Sequence, residues 1–128
     1  MKTLLIEEDR SLAMTESKLL AYEGIVANVE PDEQSALHRA LDNDYDAIIL
    51  NLKIPTLGGV ELYRQVREAK PELPILVMSD APSREPEFLS VVASADEYLS
   101  SPFNPAEFVS VVKALCNRPK SRISPMLA

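Results

Sequence analysis

Four short apolar runs in this chain each end in residues that could do chemistry. Residues 3–6 lead into Glu7-Glu8-Asp9, residues 46–50 into Asn51, residues 75–78 into Ser79-Asp80, and residues 97–99 into Ser100-Ser101-Pro102. If the runs are parallel strands, a site should lie beyond their carboxyl ends, as it does in open α/β sheets. An acidic cluster, a carboxamide and several hydroxyls would then share one rim. Read alone, Glu7-Glu8-Asp9 is a solvated acidic turn before a helix, where negative charge is favourable. The three glycines, Gly24, Gly58 and Gly59, are too scattered to cradle a nucleotide phosphate.

The elements that must position these residues alternate along the chain, which is the signature of βαβ units around a parallel sheet. A first strand covers residues 3–6 and a helix covers roughly 10–22, with Gly24 as its C-cap. A second strand covers 25–29. Pro31 and Asp32 open a second helix whose buried stripe is Ala36, Leu37, Ala40 and Leu41. Residues 48–50 form a central strand, apolar on both faces. Gly58-Gly59 breaks the following loop, and Val60, Tyr63 and Val66 mark a third helix. A fourth strand spans 75–78. A fourth helix spans 85–94, with Phe88, Leu89, Val91 and Val92 apolar. A short fifth strand spans 97–99, and a last helix spans 105–116 with Phe108, Val109, Val112 and Leu115 at core spacing. The expected fold is α/β: five parallel strands, doubly wound, with five helices in three αβα layers.

Composition bounds the function. The chain has 128 residues, which suits one domain, and 46% hydrophobic content supports a real core. Aromatics are few and there is no Trp, so a mainly aliphatic core is expected. A net charge of −7 argues against the domain itself gripping a nucleic-acid backbone. Cys116 is the single cysteine, which excludes a disulfide framework and a cysteine metal site. No apolar run approaches a membrane span, and a cytoplasmic, reducing compartment is expected. Residues 1–117 are expected to form the domain. Residues 118–128 hold Arg118, Pro119, Lys120, Arg122 and Pro125 with no acid, and are expected to be a flexible tail or the start of a linker.

Four motifs together resemble the receiver domains of two-component response regulators, the CheY-like superfamily. They are Leu4-Leu5-Ile6-Glu7-Glu8-Asp9; residues 46–55 with Gly58-Gly59; Pro74-Ile75-Leu76-Val77-Met78-Ser79; and residues 95–103. The resemblance implies a flavodoxin-like sheet of order 2-1-3-4-5. It also implies that Glu7 and Glu8 occupy the places of two acids that bind Mg²⁺ in the family. Glu8 stands where an Asp is usual, one methylene too long for an ion that demands near-ideal octahedral geometry. Asn51 replaces the phosphoacceptor aspartate and Ser101 replaces a lysine. Ser79 keeps the switch hydroxyl and Tyr98 the aromatic that swings inward in active relatives. Ser101-Pro102 is expected to be cis, as in the family.

These replacements carry a chemical consequence. Phosphoryl transfer to an aspartate needs an anionic oxygen in line with phosphorus and cations against the equatorial oxygens. A carboxamide offers no comparable nucleophile, and a serine cannot replace the charge-assisted contact of a lysine. The chain therefore reads as a pseudo-receiver with no enzymatic role. The metal site is vestigial, formed by Glu7, Glu8 and Asn51 with Lys53 nearby; no cofactor is required and weak Mg²⁺ binding is allowed. The expected function is a phosphorylation-independent protein-interaction module in bacterial two-component signalling. Its partner would be a histidine kinase, an output domain, another signalling protein or a second copy. The surface would be the fourth helix, fifth strand and fifth helix, through Phe88, Tyr98 and Phe103; neither nucleic acid nor membrane would be touched directly. Two alternatives remain: a receiver phosphorylated elsewhere, at Ser79 or Asp80, and the regulatory domain of a DNA-binding regulator. His38 is expected at the surface and Cys116 packed in the last helix.

Overall fold

A computed structural model describes residues 1–52, 57–80 and 83–119, with Leu57 described in its backbone only. Five strands, β1 (Lys2–Ile6), β2 (Val26–Glu30), β3 (Ala47–Leu52), β4 (Ile75–Ser79) and β5 (Glu97–Ser100), pair in parallel in the order β2-β1-β3-β4-β5. Five helices alternate with them: α1 (Arg10–Ala21), α2 (Glu33–Asp42), α3 (Leu57–Ala69), α4 (Pro86–Ser94) and α5 (Pro105–Cys116). The alternation of five strands and five helices is the one expected from the apolar runs and helical stripes, and the strand order is the one the resemblance implies.

Side-chain alternation along the strands builds two cores, one on each side of the sheet. Leu4, Ile6, Ile48, Leu50 and Val77 pack under Ala36 and Ala40 of α2, Leu62, Tyr63 and Val66 of α3, and Phe88 and Val91 of α4. Leu5, Ile49, Leu76, Met78 and Leu99 pack under Ala13 and Leu20 of α1 and Phe108, Val112 and Leu115 of α5. Cys116 is buried with this second set. His38 is exposed, as its polar neighbours suggest.

The helix ends follow local chemistry. Asp9, Asp32 and Asn104 each cap a helix by accepting a backbone N–H of the first turn. Helix α1 closes in a Schellman arrangement: the Ile25 N–H reaches Leu20 O at 3.0 Å and the Gly24 N–H reaches Ala21 O at 3.0 Å. Gly24 sits there at φ +77°, the left-handed region that glycine occupies without Cβ strain. The Ser101-Pro102 bond is cis, as expected.

At the amino end of the sheet an ionic node ties distant segments together. Asp96 Oδ2 accepts from Arg67 Nη2 at 2.7 Å and from the Ile75 N–H at 2.8 Å, while Oδ1 accepts from Arg118 Nη1 at 2.5 Å. Arg67 also donates to the carbonyls of Pro71 and Leu73. Burial alone would raise the Asp96 carboxyl, but the Ile75 N–H and the two guanidiniums outweigh it and hold it below the usual carboxylate range. Arg118, the first residue of the expected tail, is thus fastened to the domain. Residues 120–128 lie outside the described residues.

Three local expectations are corrected. Gly58-Gly59 does not break a loop; both lie inside the first turn of α3. A Cβ on Gly58 would meet only the end of the flexible Glu33 side chain, which can swing aside, so space alone does not demand a glycine there. Leu41 and Leu89 are solvent-exposed rather than part of the buried stripes. Phe88 is buried in the core, so it cannot present its ring to a partner.

The Gly24 closure yields the first prediction. Gly24→Ala meets open space but must hold a left-handed backbone, and it should cost about 1 kcal/mol. Urea denaturation checks this; an unchanged midpoint would contradict it.

Candidate functional site

The site begins with strand register. Leu5 of β1 lies beside Ile49 of β3 and Ile6 beside Leu50, so the next positions in phase are Glu7 and Asn51. Both residues follow the alternation of Leu5 and Ile49, toward the side covered by α1 and α5. Glu7 is only 2% exposed. Its Oε1 accepts a hydrogen bond from Asn51 Nδ2 at 2.5 Å, and its Oε2 accepts from the Asp9 N–H at 2.9 Å. The amide must present its nitrogen here, because a carboxylate only accepts. Asp9 in turn caps α1 through Oδ1 and the Leu12 N–H at 3.0 Å. One buried carboxylate therefore joins β3, the turn after β1 and the start of α1.

The other expected residues lie along the same rim. Ser79 is buried at the end of β4, beside Leu52 in register. The Ser101 N–H donates to the Ser79 carbonyl at 2.8 Å, while Ser101 itself is exposed. The Tyr98 hydroxyl is buried with no hydrogen-bond partner, and its ring meets Phe88 edge-on at 6.2 Å and 84°. Phe103 is half-buried and packs against Phe108 at 5.3 Å. Glu8 and Asp80 are exposed. Lys53 lies outside the described residues.

The Mg²⁺ ligand set implied by the resemblance does not fit this arrangement. Both Glu7 oxygens already accept N–H groups, and Asn51 turns toward Glu7 an amide nitrogen, which donates and cannot ligate a cation. Glu8 is exposed. Among the described residues no three His, Cys, Asp or Glu side chains converge as a metal site.

One residue of the site was not anticipated. Glu16 is 1% exposed on the inner face of α1, and neither of its carboxyl oxygens has a hydrogen-bond partner. Burial, then the nearby charges of Glu7 and Asp9, push its pKa up to about 8. It is therefore mostly neutral at pH 7. The signal was present in the spacing: Ala13, Glu16 and Leu20 fall on one helical face.

A parallel five-stranded sheet of this order, flanked by five helices, is the flavodoxin-like fold of CheY-type domains. Residues 3–113 match the family described as response regulator receiver domain, and the chain belongs to that family. The cell cycle transcriptional regulator CtrA of Caulobacter vibrioides is 29% identical over 120 residues, covering 94% of this chain and 52% of CtrA. The response regulator MprA of Mycobacterium avium is 31% identical over 120 residues, covering 94% of this chain and 53% of MprA. The chain thus spans about half the length of the curated relatives it matches. A CheY-like receiver domain protein from Methanospirillum hungatei shares the fold at a TM-score of 0.81 and 20% identity, over 91% of this chain and 93% of that one. Among the described residues no helix is long and apolar enough to cross a membrane.

Glu16 makes stability depend on pH. Its proton is held more tightly in the folded chain, near 8, than at the ordinary value of 4.5. The folded state therefore loses ground as pH rises through that window, by at most about 1.4 kcal/mol per pH unit. Glu16→Leu should remove this slope and raise the urea midpoint most at the alkaline end. Equal pH profiles for the two proteins would contradict the assignment.

Proposed function

We propose that this domain is a pseudo-receiver, a two-component signalling module that works without phosphorylation at the customary position. The observation that carries the reading is the Asn51 amide donating into the buried Glu7 carboxylate. A phosphoryl group arriving at position 51 would meet a neutral nitrogen already engaged in a hydrogen bond. It would find no anionic oxygen to attack phosphorus. Ser101, exposed and neutral, offers no cation for the equatorial oxygens. On this reading the domain performs no chemical step of its own.

The inward Tyr98 supports a fixed state. Its hydroxyl is buried and its ring rests on Phe88 with no phosphoryl group needed to draw it in. Output then passes through a standing surface on α4, β5 and α5. With Phe88 buried, Leu89, 49% exposed on α4, replaces it as the apolar candidate on that face. The partner is a protein: a histidine kinase, an output domain, another signalling protein or a second copy, met in the cytoplasm. Glu7, Glu8, Asn51 and Lys53 are the remnant of a cation site, and residues 118–128 serve as a tail or the start of a linker.

A second reading is favoured by the half-length match to CtrA and MprA. In it, the chain is the regulatory part of a longer DNA-binding regulator, with the output part beyond Ala128. The two readings are compatible, since a silent receiver can hold an output domain in one arrangement.

The test is incubation with acetyl phosphate and Mg²⁺ followed by intact mass. No phosphoryl adduct is expected. A stoichiometric adduct, whether at Ser79, Asp80 or elsewhere, would show that the domain accepts phosphoryl groups after all.

A further inference from the structure

The disagreement between the acidic rim and a cation site has a consequence for what the site requires. In a rim built on three carboxylates, buried negative charges face one another, and the repulsion must be met by a bound cation or by protonation. Here Glu7 is 2% exposed, within the range of the core residues, yet its two oxygens are met within the chain. Asn51 Nδ2 serves Oε1 at 2.5 Å and the Asp9 N–H serves Oε2 at 2.9 Å. The second donor belongs to the N-cap of α1, held in place by its own bond to the Leu12 N–H. Register fixes the first donor: the pairing of Leu5 with Ile49 brings position 51 against Glu7 whatever its identity. An amide is close in shape to a carboxylate, but it supplies an N–H where the acid would supply a second negative oxygen.

We propose that Asn51 is an internal substitute for the divalent cation: by hydrogen-bonding Glu7 it makes the rim complete without metal, and the folded domain is indifferent to Mg²⁺. This rests on the reading of the domain as a silent receiver and adds a requirement to it, because a silent receiver could still bind a cation. The replacement at position 51 then does two things at once. It removes the nucleophile, and it removes the need for the ion that would have assisted that nucleophile. The Glu7–Asn51 bond also ties the β1–α1 turn to the central strand, a task that a shared ion would otherwise perform. Asn51 is here a positioning residue.

The experiment is thermal melting of the whole chain in EDTA and across a Mg²⁺ titration, for the wild type and for Asn51→Asp. The wild-type midpoint should stay constant across the titration. Asn51→Asp should melt roughly 5 °C lower in EDTA, where two carboxylates face each other, and should recover part of that loss with saturable Mg²⁺ dependence. A saturable rise of the wild-type midpoint with Mg²⁺ would overturn the proposal, as would an Asn51→Asp protein that melts with the wild type in EDTA. If Asn51→Asp does not fold, the wild-type titration still decides. Asn51→Ala, which removes the donor without adding charge, should then melt below the wild type; an Asn51→Ala midpoint equal to the wild type would count against the proposal. Failure here stays distinct from failure of the silent reading. A Mg²⁺ response without a phosphoryl adduct removes only this inference, whereas an adduct removes the reading beneath it.

Discussion

The contact between Glu7 and Asn51 constrains the rest of the rim. A carboxylate that is 2% exposed must find donors inside the protein, since an unpaired buried charge costs several kcal/mol. The parallel pairing of β1 with β3 decides where the first donor comes from, and the α1 cap decides the second. The chemistry of position 51 is therefore inseparable from the stability of the turn after β1. In a catalytic receiver that turn and the acceptor share an ion. In this chain they share a hydrogen bond.

Around this contact the protein tolerates polar groups that are poorly served. Glu16 sits under α1 with both oxygens unpartnered, and the Tyr98 hydroxyl is buried without a partner. A buried acid without partners is tolerable only when neutral, and burial beside Glu7 and Asp9 keeps Glu16 protonated near neutral pH. The opposite end of the sheet is built differently. There Asp96 has a donor for each oxygen, and the guanidiniums of Arg67 and Arg118 draw α3, β4, the α4–β5 turn and the exit of α5 together. The amino end of the sheet is thus fastened by ion pairs, whereas the rim at the carboxyl end is held by hydrogen bonds to Glu7.

Much of this was legible in the order of residues. The central strands β3 and β4 are apolar on both faces because helices cover both sides, and continuous runs such as Ile48-Ile49-Leu50 announce that. Asn51 stood out because it closes such a run. Other features were hidden for physical reasons. Gly58-Gly59 reads as a breaker by propensity, yet the pair lies inside α3, a weak local preference overridden by its surroundings. Phe88 and Leu89 are neighbours of equal apolarity, and only the rotation of α4 against the sheet decides which is buried. Glu16 is hidden because a charged residue on a helix is expected to face water. The hydrogen bond itself was out of reach, since it depends on a register that no local pattern states.

Backbone amide spectra recorded before and after addition of beryllofluoride with Mg²⁺ test the central claim most directly. Beryllofluoride imitates a phosphoryl group only where a carboxylate can hold it. The account predicts unchanged resonances at Glu7, Asn51, Ser79 and Tyr98. Saturable shifts confined to those residues would show that the rim still accepts a phosphoryl-like group, and would contradict it.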